Sequence, residues 1–177
     1  MLEVKSSTAT YKEHEMQDLK IERVTPSTRA AFLALSQNYE AEFSKITGKQ
    51  PNHAGLYEIT DEQRGHYEAW TCFVGQQIIG FAVVDISREK NDVAEFYIIP
   101  THRKQKFGHQ FASQLFDQYP GPWQVRQIMG AEYAREFWVA VIKQYSSDHF
   151  SNETEKDCEW GEVYIQKFTS RTKGNKQ

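Results

Sequence analysis

The stretch EFYIIPTHRKQKFGHQFASQLF, Glu95 to Phe116, decides how this chain reads. It begins as a β-prone apolar run, breaks at Pro100, passes through Arg103, Lys104 and Lys106, and takes up helical spacing from Phe107, with Phe111, Leu115 and Phe116 on one side. A helix start already carries unpaired N–H groups and the positive end of the helix dipole, so cations gathered there repel one another unless an anion joins them. Solvated loop charges are one reading. The other is an anion cradle, in which the span Arg103, Lys104, Gln105, Lys106, Phe107, Gly108 and His109 offers successive N–H groups, with Gly108 permitting close approach. That geometry suits a pyrophosphate. The Lys-Ser/Thr ending of a nucleotide P-loop and the G-x-G-x-x-G of a dinucleotide turn are both absent, so magnesium and a transferable phosphate are not indicated.

The cradle sits inside an alternation of strands and helices. LKIERV reads as a strand, Thr25 and Pro26 as a helix start, and Phe32, Leu35, Tyr39, Phe43 and Ile46 as its apolar stripe up to Gly48, with Glu40 and Glu42 on other faces. Residues 49–64 hold turn formers and little periodicity, which predicts a long loop with at most one helical turn. Three β-prone runs follow, AWTCFV, QQIIGFAVVDI and VAEFYII, as an antiparallel meander. After the Phe107 helix come a strand at WQVRQI, a helix from Glu132 to Tyr145 and a last strand around EWGEVYIQKF. The predicted order is β-α-β-β-β-α-β-α-β, a single-domain α+β fold with a mixed, largely antiparallel sheet flanked by helices. The helical crossover makes the Val93 and Trp123 strands parallel and sets the basic turn at a strand's carboxyl end.

Composition bounds the partners. A chain of 177 residues fits one domain, and a net charge of -3 with a pI near 6.1 leaves no basic face for a nucleic acid. Cys72 and Cys158 stand far apart without C-x-x-C spacing, and both read as buried free thiols; no metal site is expected. With no apolar leader and no bilayer-length apolar run, a cytoplasmic protein without membrane contact is expected. Residues 1–17 read as a flexible leader, 18–169 as the folded domain and 170–177 as a disordered tail.

The residues from Ile98 to Gly108, I-x-P-x-x-R-x-x-K-x-G, resemble the acetyl-CoA-binding signature of the GCN5-related N-acetyltransferases, and AEYAREFWVAVIKQY is similar to that family's Asn-x-x-Ala-x-x-Phe-Tyr helix. More narrowly, EFYII, LFDQYPGPWQVRQI and FWVAVIKQYSS resemble a subgroup with few assigned substrates. The resemblance spans roughly residues 19–168. It implies that residues 18–169 are an N-acetyltransferase domain using acetyl-CoA, that the backbone around Ile98 pairs with the pantetheine arm, and that Arg103 to Gly108 hold the pyrophosphate. The acceptor is then a small-molecule or peptide amine, and a homodimer stays open. Three positions depart from the pattern: Lys106 stands at the first signature glycine, Ala131 at the helix asparagine, and Trp138 at the tyrosine that many members use to protonate the departing thiolate.

Transfer to an amine needs a neutral amine, and an alkylammonium has a pKa of roughly 10, so a base is required near neutrality. Glu95 is the preferred base, with a structural pair to Arg126 as its competing role. Asp92 differs from it in strand parity, so one of the two points away from the cleft unless a bulge intervenes; Asp92 otherwise reads as a turn residue. Proton return to the thiolate falls to water, to Tyr133 or Tyr145, or to no group. His53, His66, His102 and His109 read first as solvated, Tyr39, Tyr57 and Glu40 as candidate acceptor lining, and Trp123, Phe137 and Trp138 as packing. A non-catalytic acyl-CoA-binding module is the alternative function, and a polyanion-binding protein a weaker third.

Overall fold

The computed structural model describes residues 18–59, 65–87 and 89–171, so the expected leader and most of the expected tail lie outside the described residues. The elements are β1 (Leu19–Arg23), α1 (Arg29–Thr47), β2 (Tyr67–Val74), β3 (Gln77–Ile86), β4 (Asn91–Ile98), α2 (Phe107–Gln118), β5 (Gly121–Ile128), α3 (Glu132–Tyr145), β6 (Phe150–Asp157) and β7 (Gly161–Ser170). The sheet order is β1-β2-β3-β4-β5-β7-β6, antiparallel except for the β4–β5 pair, as the crossover rule requires.

The order holds one strand more than the sequence suggested. β6, FSNETEKD, is a polar edge strand whose inward side is only half buried, so it lacks the apolar alternation that marks a strand. Ser170 ends β7 and is 3% exposed, placing the first residue of the expected tail inside the sheet. α1 also begins later than Thr25 and Pro26. Those residues form a turn in which Thr25 O accepts from the N–H groups of Thr28 and Arg29, while Thr25 N–H donates to Thr28 Oγ1 at 2.9 Å. The helix closes at Gly48, whose φ of 70° is the left-handed cap expected of a glycine there.

Two apolar layers clamp the sheet. On one face Phe111, Leu115 and Phe116 of α2 and Trp138, Val141 and Ile142 of α3 pack on Val84, Val93, Trp123 and Val125. On the other, Phe32 of α1 meets Ala69, Phe81, Val83 and Tyr97. Cys72 is fully buried and its thiol is pushed up to about 12 by burial, whereas Cys158 is exposed, against the expectation that both are buried.

Two irregularities in β3 and β4 position the site. Register passes from Val83↔Glu95 to Val84↔Val93, so Ala94 is an extra residue in β4. Gly80 of β3, paired with Ile98, has no room for a side chain: a Cβ would lie 2.3 Å from Tyr97 O and 2.7 Å from Ile98 Cδ1.

Candidate functional site

β4 and β5 form a ladder only over Asn91–Val93 against Trp123–Val125, although β4 continues to Ile98 and β5 to Ile128. Past the Ala94 bulge the two strands part, opening a wedge toward their carboxyl ends. Ile99 N–H donates to Ile79 O at 2.9 Å, so by the alternation of a strand's polar groups those of Ile98 and Phe96 point the other way, into the wedge. Ile98 O, on that side, accepts from Arg103 Nε at 2.7 Å. Gln127, on β5 beyond the ladder and 5% exposed, has Oε1 without a donor among the described residues.

The basic turn closes the mouth of this wedge. A single 3-10 turn, Pro100–His102, leads into Lys104 and Lys106, both left-handed, with φ of 61° and 67°. Left-handed Lys106 followed by helical Phe107 makes a nest of N–H groups, and α2 begins there without a side-chain cap and without an acidic residue in its first turn. Among the described residues neither Lys104 nor Lys106 has a carboxylate partner, and both are exposed. Gln105 braces the turn through Nε2 to Thr101 O at 2.9 Å. A Cβ on Gly108 would face the Phe137 ring of α3, 3.1 and 3.2 Å from two ring carbons. His109 lies edge-on to the same ring.

Arg103 is exposed and tied to α1. Its Nη2 meets Glu42 of α1 at 2.9 and 3.0 Å, its guanidinium lies over the Tyr97 ring, and the Tyr97 hydroxyl donates to the same Glu42 at 3.0 Å. The side chain therefore fixes the turn against α1, and its N–H is bonded to Pro100 O at 3.2 Å. Lys106 occupies a backbone conformation that costs an L-residue about 1 kcal/mol and that glycine adopts freely. Lys106→Gly is expected to raise unfolding stability by about 1 kcal/mol, read as a higher denaturant midpoint at unchanged slope.

The bulge changes the parity of β4. Glu95 and Asp92 both face the α1 side: Glu95, 6% exposed, is the strongest charged neighbour of Tyr39, while Asp92 bonds Gln124 and Arg126 on the matching face of β5. Arg126 pairs with Asp92 and Asp157, so the role expected for Glu95 as its partner belongs to Asp92, and Asp92 is a buried strand residue instead of a turn residue. Tyr39 is stacked on Phe43 and edge-on to Phe81; burial first, then Glu95 and Glu40, raise its hydroxyl far above the ordinary phenol range. Glu40 is itself 6% exposed and pairs with Lys49 at 3.0 Å, so it lies inside the helix packing that was expected to leave it on an outer face. Tyr57 is tied to α1 through both its backbone groups and Gln37.

Of the two phenols considered for proton return, Tyr145 sits at the far end of α3 and donates to Asp117 at 2.9 Å, whereas Tyr133 stands 65% exposed in the first turn, next to the carboxyl end of β5. Trp138 is core, 5% exposed, with its ring 4.9 Å from Phe96 and 5.0 Å from Phe137. His66 pairs with Asp85 at 3.0 Å, and His102 meets Thr101 Oγ1. Among the described residues no cluster of His, Cys, Asp and Glu could hold a metal, and no helix is long and apolar enough to cross a membrane.

No protein-family model and no curated protein matches the sequence. Solved structures do. The ribosomal-protein-S18-alanine N-acetyltransferase of Escherichia coli superposes with a TM-score of 0.56 at 12% identity over 90% of this chain and 99% of that one. A Bacillus subtilis acetyltransferase in complex with CoA gives 0.58 at 10% identity over 86% and 99%. RimL, a ribosomal L7/L12 alpha-N-protein acetyltransferase in complex with coenzyme A, gives 0.60 at 12% identity over 85% and 93%. At such identities what is shared is the fold, an open seven-stranded sheet with helices on its faces.

Proposed function

We propose that this chain transfers an acetyl group from acetyl-CoA to an amine. The observation that carries the reading is the uncapped start of α2, with its Lys106–Phe107 nest, at the mouth of the wedge between β4 and β5. The residues fit the donor molecule. N–H groups at the uncapped start of α2 suit a pyrophosphate, assisted by the ammonium groups of Lys104 and Lys106, which have no carboxylate partner among the described residues, and the polar groups of Phe96 with the N–H of Ile98 suit the amides of an extended arm.

The thioester supplies an activated acyl group and a thiolate able to leave without a strong acid. Everything else falls to the chain. N–H groups of β4 aimed into the wedge are placed to stabilise negative charge on the acyl oxygen. Glu95, on the α1 side of the same strand, takes the proton of the incoming ammonium directly or through one water. Tyr39, Tyr97 and Phe43 wall the acceptor side and limit water there. Trp138, packed among Phe96, Phe116 and Phe137, takes no part in proton transfer.

The test is release of free thiol from acetyl-CoA over a panel of amines. Amine-dependent turnover supports the proposal. Acyl-CoA binding with no turnover on any amine supports the second reading, a non-catalytic acyl-CoA-binding module, which the buried Trp138 at the place of a family tyrosine favours.

A further inference from the structure

One register row runs across four strands on the α1 side of the sheet. Tyr67 pairs with Asp85, Asp85 with Asp92, and Asp92 with Gln124, so the four side chains stand abreast. Two carboxylates directly opposite one another on neighbouring strands repel, and such a pair persists where positive charge joins it. The cations at hand are placed to one side. His66 approaches Asp85 from the sheet's end, and Arg126 is shared between Asp92 and Asp157.

The distribution of donors at Asp92 is uneven. Arg126 Nε at 2.9 Å, Arg126 Nη2 at 2.8 Å and Gln124 Nε2 at 2.5 Å all converge on Oδ2. Among the described residues Oδ1 is buried and receives no donor, and the same holds for Oε1 of Gln124, which is no acid. Both residues are 5% exposed. A buried acceptor without a donor costs about 1–3 kcal/mol, and here two lie together. Burial, with Asp85 opposite, holds the Asp92 carboxyl above its ordinary range in spite of Arg126. Only an N–H or O–H donor can complete the row, and a positively charged one also relieves the Asp85–Asp92 repulsion. The row is not sealed: the side chains of Asp85 and Arg126 are 28% and 39% exposed.

We infer that the row Tyr67, Asp85, Asp92 and Gln124 is a second subsite that binds an ammonium group of the acceptor, so that the preferred acceptors carry two amines. This inference rests on the transferase reading with Glu95 at the reacting amine. The bulge at Ala94 brings the row and Glu95 onto one face of β4 a few residues apart, a span of on the order of 10 Å at the rise of a strand. A second ammonium several carbons from the first matches it. A metal ion is a poorer match, because no metal-holding cluster occurs among the described residues.

Calorimetric titration without acetyl-CoA, using diaminopentane and pentylamine, tests the subsite apart from the chemistry. Diaminopentane is expected to bind about tenfold tighter than pentylamine, the size of one charge-assisted hydrogen-bonded contact. In Asp85→Asn, which removes a partly exposed charge and keeps the shape, that preference should fall below about threefold. Gln124→Leu removes the orphan oxygen independently and should lower it likewise, with thermal melting confirming that each variant is folded. Equal affinity of the two amines for the wild-type chain overturns the inference, and the orphan oxygens are then satisfied by water only. Acetylation of pentylamine and diaminopentane with equal kcat/KM also overturns it while leaving the transferase reading intact. Selective diamine binding without any acetylation retains the subsite and removes the transferase reading.

Discussion

Replacing Glu95 by glutamine is expected to lower turnover by about a hundredfold while acyl-CoA affinity stays nearly constant, because the amide keeps the shape of the side chain and loses its basicity. Position supports this role. Glu95 is 6% exposed, faces α1 beside Tyr39, and sits on the strand whose next residues line the wedge. The loss should be largest near neutral pH and shrink as pH approaches the acceptor's own pKa of roughly 10, where the amine arrives already neutral. A pH-independent loss, or a loss confined to KM, assigns Glu95 to binding. Asp92→Asn should act differently, because Asp92 anchors Arg126: its effect should appear as reduced stability and weaker acceptor binding.

Gly80→Ala is expected to cost about 3 kcal/mol, a fall of roughly 10 °C in the melting midpoint for a chain of this size. The added methyl would lie 2.3 Å from Tyr97 O, a backbone atom in the strand that carries both Glu95 and Ile98, and backbone yields far less readily than a flexible side chain. β3 and β4 must separate locally to admit it. Acyl-CoA affinity should fall along with stability, because the displaced segment is one wall of the wedge. A variant that melts with the wild type would mean that the β3–β4 contact relaxes freely.

The strand-turn-helix at Glu95–Phe116 was legible because its signals are local: a proline break, a cationic turn and helical spacing that begins at Phe107, where α2 begins. The parallel β4–β5 pair followed from handedness alone. What escaped depends on partners far away in sequence. In the run Val93-Ala94-Glu95 no residue type announces a bulge, yet one unpaired alanine decides that Asp92 and Glu95 share a face. Arg103 is also tied to Glu42, sixty-one residues earlier, a bond that no local signal announces. The Phe137 ring that a side chain at Gly108 would meet is likewise remote in sequence. The strand FSNETEKD carries no apolar pattern because it is an outer edge. Lys106 is the reverse case: the family pattern asks for glycine there, and the φ of 67° is the conformation that pattern anticipates.

The parting of β4 and β5 gives this sheet two extra borders in its interior, besides the outer ones at β1 and β6. Exposed borders are templates on which foreign strands add, and here the template is flanked by the apolar rings of Phe96 and Phe137. Colloidal behaviour of the purified chain should therefore depend on what occupies the gap. Amide hydrogens of Phe96 and Ile98 should exchange with solvent quickly in the free chain, in contrast to those of fully laddered β3, and slow when a ligand lies between the strands. A stock kept with CoA should resist clouding on storage better than one kept without, at equal protein concentration.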